Sequence, residues 1–159
     1  MKENYIHYSM TPFKGVCVPF TGDPEKAVSL DDLIFWPTRE DSRPEKDRFT
    51  LRRDERHLYI SFTRHKPTPV QIHPPGVKGN LWDEGDLIEL LFGSVDGSSF
   101  LLQLAVGASG NRFDSTGDYD SWSCKVACEK YSWSGEITLP LEKLHLQDLG
   151  CAFDFFITD

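Results

Sequence analysis

The sequence predicts an all-β fold, a jelly-roll-like two-sheet antiparallel β-sandwich with at most one or two short helical turns. Helical periodicity is nearly absent along the 159 residues. Short runs rich in β-branched and aromatic residues recur, divided by Gly, Pro, Asp and Asn. These runs follow one another at roughly ten-residue spacing, which is the rhythm of a sandwich. With no internal repeat and no dividing linker, residues 1–159 read as one domain.

"FTLRRDERHLYISFTR", Phe49 to Arg64, reads as a hairpin. Phe49 and Leu51 alternate with polar neighbours, Asp54-Glu55 makes the turn, and Leu58, Ile60 and Phe62 share one face. "DLIELLFG" is a nearly continuous apolar run, as expected of a central strand covered on both faces. "SSFLLQLAVGASGNRFD" is a strand closed by the turn "ASGN", with Arg112-Phe113-Asp114 starting the return. Two further strands run from about Trp122 to Glu129 and from Trp133 to Leu139, where Pro140 ends the ladder because it has no N–H to donate. "PLEKLHLQDLG", Pro140 to Gly150, has the Pro-first, Gly-last pattern of one or two helical turns. "CAFDFFITD" is a last strand. Between strands, Trp36 to Arg48 is a polar loop, and His65 to Asn80, with four prolines and two glycines, is a long one. Loops of that length are uncommon unless functional or disordered.

Charge removes several functions. The 25 acidic residues against 17 basic ones give a formal charge of -8, which lacks the basic footprint that nucleic acids or anionic membranes require. No run approaches the ~18 to 20 apolar residues of a membrane span. The start "MKENYIHYSM" has no apolar stretch of the signal-peptide kind. Cys124 and Cys128, four residues apart in a strand, stand about 13 Å apart, too far for a disulfide. Cys17 and Cys151 could pair if the terminal strands are neighbours.

The chemistry-bearing residues are few. There is no G-x-S-x-G elbow, and the histidines form no constellation with Ser or Cys. The acidic loops at Asp83 to Asp86 and Asp114 to Asp120 hold oxygen ligands of the kind calcium takes, but solvated turns are the favoured reading of both. Asp83 and Asp86 are the candidate metal ligands. Glu89 and Glu136 are the acids within strands, and a glycosidase would need two such carboxylates across a cleft. Glu89 is flanked by apolar residues, so it should have a partner such as Arg112 or a ligand. Trp82 after the Pro-rich loop, Glu89 and Gln103 in neighbouring strands, Arg112, and Trp122 after an Asp-rich loop make a candidate sugar site. There an aromatic ring would stack on the sugar's C–H face and polar groups would meet its hydroxyls. Core packing is the other reading of each tryptophan, and the favoured one for Trp36 and Trp133.

Five segments in one order resemble the family-nine carbohydrate-binding modules and their DOMON-like sandwich relatives. They are "DERHLYISFTRHKP", "LWDEGDLIELLFG", "FLLQLAVGASGNRFD", "WSCKVACEKYSWSGEITLPLEKL" and "CAFDFFITD", from about Leu51 to Ile157. The second is similar to the family's "W-x-D-D-x-V-E-I-F" strand and the third to its "Y-Q-F-x-V-N-x-x-G-x-x-Y-D" hairpin. The resemblance implies a non-catalytic module that recognises a sugar or polysaccharide end, carries structural calcium, and is fused to or associated with a larger enzyme or surface protein outside the cytoplasm. By position it implies Trp82 as the first of two sugar-clamping tryptophans, with Glu89 and Gln103 near the sugar. This sequence departs at Gly107, where the family has Asn, and at Thr158-Asp159, where its last strand continues to Arg. The chain stops before the region of the second tryptophan, so the clamp is either incomplete or completed by Trp122 or another aromatic. The alternatives are a structural or protein-interaction sandwich without a sugar site, and a small glycoside hydrolase.

Overall fold

Period-two alternation buries every second side chain of a strand, and this rule builds both halves of the molecule. The structure, a computed structural model, describes residues 28–29, 48–72, 81, 85–93, 100–144 and 152–158. Its strands are β1 (Val28–Ser29), β2 (Arg48–Arg53), β3 (His57–His65), β4 (Leu87–Gly93), β5 (Phe100–Gly107), β6 (Arg112–Asp114), β7 (Ser123–Cys128), β8 (Ser132–Pro140) and β9 (Ala152–Thr158). A five-stranded sheet runs β1-β2-β3-β8-β7 and a four-stranded sheet runs β6-β5-β4-β9. Every pairing is antiparallel. This is the predicted sandwich.

The inner faces meet in one core. The first sheet supplies Phe49, Leu51, Leu58, Ile60, Phe62, Trp133, Ile137 and Leu139, and the second supplies Ile88, Leu90, Phe92, Leu102, Leu104 and Val106. Phe62 stacks on Phe49 at 6.0 Å between ring centroids and meets Trp133 edge-on at 4.9 Å. Gly135 makes room for this: a Cβ there would stand 2.6 Å from the Phe62 ring.

The predicted hairpin β2–β3 turns at Asp54. Its carboxylate accepts the Arg56 N–H at 2.8 Å, the His57 N–H at 2.7 Å and the Tyr59 hydroxyl at 2.8 Å. The "ASGN" turn lies between β5 and β6, with Gly110 in the left-handed region at φ 82. Pro140 is the last paired residue of β8, opposite His57, and a 3-10 turn, Leu141–Leu144, follows. The other half of the expected helical stretch, the loop at Trp36, Cys17 and Cys151 lie outside the described residues. Cys124 and Cys128 are free thiols, and burial pushes both pKa values up.

The chain crosses between sheets from β3 to β4. Lys66 directly follows β3, Asp86 directly precedes β4, and their side chains form a buried ion pair, 2% and 1% exposed. Asp86 Oδ2 also accepts the Gln71 N–H at 2.9 Å. Backbone bonds from Lys66 to Tyr131 and from Val70 to Lys130, both 2.8 Å, lay this segment along the β7–β8 turn. None of the described helical residues makes a helix long and apolar enough to cross a membrane.

Candidate functional site

Because Ile88, Leu90 and Phe92 of β4 point into the core, Leu87, Glu89 and Leu91 point to the outer face of the four-stranded sheet. Directly opposed residues of neighbouring strands share a face. Register sets Glu89 opposite Ala105, Ala105 opposite Phe113, and Leu91 opposite Gln103. On the other side of β4, Phe156 and Asp154 of β9 occupy the positions beside Glu89 and Leu91. Glu89 and Gln103 are thus diagonal neighbours on one face, and the Gln103 carboxamide donates from Nε2 to Glu89 Oε1. Glu89 is half-buried. At one end of this face Leu81 packs with Leu87, Ala105 and Phe113 in a small second apolar cluster.

Gln103 is held from behind. Its backbone N–H donates to Ser115 Oγ at 3.0 Å and its carbonyl accepts the Ser115 N–H at 3.0 Å. Ser115 follows Asp114, which is 2% exposed. Asp114 Oδ1 accepts the Thr116 N–H at 2.8 Å and the Thr116 hydroxyl at 2.7 Å. Its Oδ2 accepts the Trp122 indole N–H at 2.8 Å and pairs with the Lys143 ammonium at 2.9 Å. Burial alone would raise this carboxyl's pKa, but the donors from Thr116, Lys143 and Trp122 together hold it below the ordinary value.

The structure brings Glu89 and Gln103 together and assigns other work to the remaining candidates. Arg112 is not the partner of Glu89. It lies opposite the core residue Val106, on the inner side of its strand, with its guanidinium 5.2 Å from the Trp122 ring centroid and Nη1 donating to the Trp122 carbonyl at 2.6 Å. Trp122 is 3% exposed and belongs to the core, so its ring is packing material and an indole donor, not an open stacking platform. Asp86 meets the Lys66 ammonium and the Gln71 amide, so calcium would have to displace a buried cation there. Likewise Lys143 sits among the oxygens of the Asp114 loop, 3.3 Å from Thr116 Oγ1 and from Asp118 Oδ2. Among the described residues no group of three or more His, Cys, Asp or Glu is placed to hold a metal ion. Trp82 and Asp83 lie outside the described residues.

Glu136, the other strand acid, faces outward from the five-stranded sheet and meets Arg52 at 3.5 Å. Glu89 and Glu136 are therefore on opposite outer surfaces, separated by more than the ~10 Å spacing of packed sheets. Glycosidase pairs stand ~5 to 9.5 Å apart.

The Asp114 network went unread in the sequence because Lys143 lies 29 residues further on and no spacing links them. Part of it carried a signal. "D-S-T-G" is a turn in which an Asp side chain caps the backbone two residues ahead and a glycine, Gly117 at φ 76, takes the left-handed position.

No protein-family model matches the sequence, and no curated protein matches it significantly. Among solved structures the chain is similar to a family 9 carbohydrate-binding module from Caldicellulosiruptor kristjanssonii in complex with glucose. The TM-score is 0.52 at 14% identity, over 72% of this chain and 59% of that one. It is similar also to a family 9 module of that organism in complex with cellotriose, with TM-score 0.52 and 14% identity over 70% of this chain and 57% of that one. A protein from Bacteroides uniformis, provisionally described as carbohydrate-binding, matches with TM-score 0.57 and 12% identity over 84% of this chain and 72% of that one. The fold is that of the family 9 carbohydrate-binding modules, and this chain spans less than two thirds of the first two.

Proposed function

We propose that this domain is a non-catalytic carbohydrate-binding module that holds a neutral sugar against the outer face of the four-stranded sheet. The Glu89–Gln103 pair on that face carries the reading. A carboxylate accepts hydrogen bonds and a carboxamide both donates and accepts, so the two together match the neighbouring hydroxyls of a sugar ring. Leu91 and Phe113 flank the pair with apolar surface suited to the ring's C–H groups. The shared fold with modules complexed with glucose and cellotriose supports the same reading. Glu89 together with a net charge of -8 disfavours uronates and sulfated glycans. The arrangement of Glu89 and Glu136 gives no acid–base pair for hydrolysis.

The test is calorimetric titration of the wild type with glucose and cellotriose. Binding is expected, and Glu89→Ala and Gln103→Ala should each weaken it at least tenfold, because each leaves a sugar hydroxyl without its partner. Wild-type protein that binds neither sugar, nor any glycan on an array, would overturn the reading in favour of a structural or interaction sandwich.

A further inference from the structure

We infer that the buried Asp114 network is the positioning device of the Glu89–Gln103 pair, an inference that rests on the sugar-binding reading for its functional meaning. The chain of contacts is continuous. Trp122, Lys143 and Thr116 together put four donors on the Asp114 carboxylate. That carboxylate fixes the end of β6, and the next residue, Ser115, takes both backbone groups of Gln103. Gln103 then presents its carboxamide to Glu89.

Three features of the network fit this role. β6 is only three residues long, Arg112–Asp114, and its ladder with β5 ends at the Leu104–Asp114 pair. Without a further tie, Gln103 would sit beyond that ladder with no neighbour on its β6 side. Ser115 supplies the tie, and its own position depends on the Asp114 turn. The ties also come from three separate parts of the chain: Thr116 in the turn, Trp122 just before β7, and Lys143 in the 3-10 turn after β8. Local turn chemistry therefore does not set the end of β6 by itself. Finally, the two ties from outside the turn, Trp122 and Lys143, are not on the outer face with Glu89. Trp122 is in the core and Lys143 is nearly buried, its side chain 7% exposed. Trp122, Lys143, Asp114 and Ser115 are positioning residues, acting through Gln103.

Two variants test this from opposite ends of the chain of contacts. Trp122→Phe keeps an aromatic ring but removes the indole donor to Asp114. Ser115→Ala leaves the Asp114 contacts intact and removes only the hydroxyl that accepts the Gln103 N–H. The first readout is the Gln103 side-chain amide resonance in an NMR spectrum of the folded protein, which a merely structural role of Trp122 would not move. The second is the affinity for cellotriose as probe. Both variants should shift that resonance and weaken cellotriose binding at least fivefold, with cooperative melting kept. An unmoved Gln103 amide in the folded variants would overturn the inference. If Trp122→Phe does not fold, Thr116→Val, at an exposed position, takes its place by removing the hydroxyl donor to Asp114. If the wild type binds no cellotriose, the sugar reading loses its support while the Gln103 resonance still decides the positioning claim.

Discussion

At the residue scale, the environment of each carboxylate decides what it does. Asp54 is a turn acid at the surface. The backbone N–H of Arg56, with help from the Tyr59 hydroxyl and the His57 N–H, lowers its pKa from 3.8 to about 2. The folded pKa lies below the unfolded one, so the stabilisation is present above about pH 4 and is lost as pH falls toward 2. Asp54→Asn should flatten that part of the stability profile, read from urea melts between pH 4 and 2, and leave the profile at neutral pH parallel to wild type. Asp86 and Asp114 show the opposite setting, a carboxylate out of water with an ammonium beside it. The sequence marked the acids as a group and could not sort them by environment. Glu89 was singled out by its apolar neighbours, and the adjacent strand gives it an amide partner in Gln103. Arg112 was the natural guess by charge, but the parity of a three-residue strand turned it to the other face.

At the element scale, strand positions were legible because side-chain alternation and turn chemistry both wrote them. The hairpin β2–β3, the "ASGN" turn and the central strand β4 all follow from that, and the strand ends moved by only a residue or so. β7 begins at Ser123, which leaves Trp122 just outside it and free to turn into the core. Connections across the sandwich were not legible, because a buried ion pair 20 residues apart leaves no periodic trace. The Lys66–Asp86 pair ties the end of one sheet to the start of the other. Breaking it with Asp86→Ala takes the carboxylate away from a buried ammonium and should cost about 3–5 kcal/mol. The double replacement Lys66→Met with Asp86→Leu removes both charges and should cost much less, because apolar residues of similar size often match a buried ion pair. Chemical denaturation of the two variants checks this, and equal losses would show that hydrogen bonds to Asp86, such as the one from Gln71, matter more than the pairing.

At the scale of the whole molecule, the two sheets divide the labour. Their inner faces make the core, and the five-stranded sheet turns outward a polar surface in which Arg52 covers Tyr59, 3.7 Å from its ring centroid, and meets Glu136. The four-stranded sheet turns outward the Glu89–Gln103 pair beside Leu91 and Phe113, braced from within by Asp114 and Trp122. Backbone amide shifts on adding cellotriose test that division directly. The perturbed amides are expected to cluster at Glu89, Leu91, Gln103, Ala105 and Phe113, with Tyr59, Ser61 and Glu136 unmoved. Shifts centred instead on the outer face of the five-stranded sheet would contradict it.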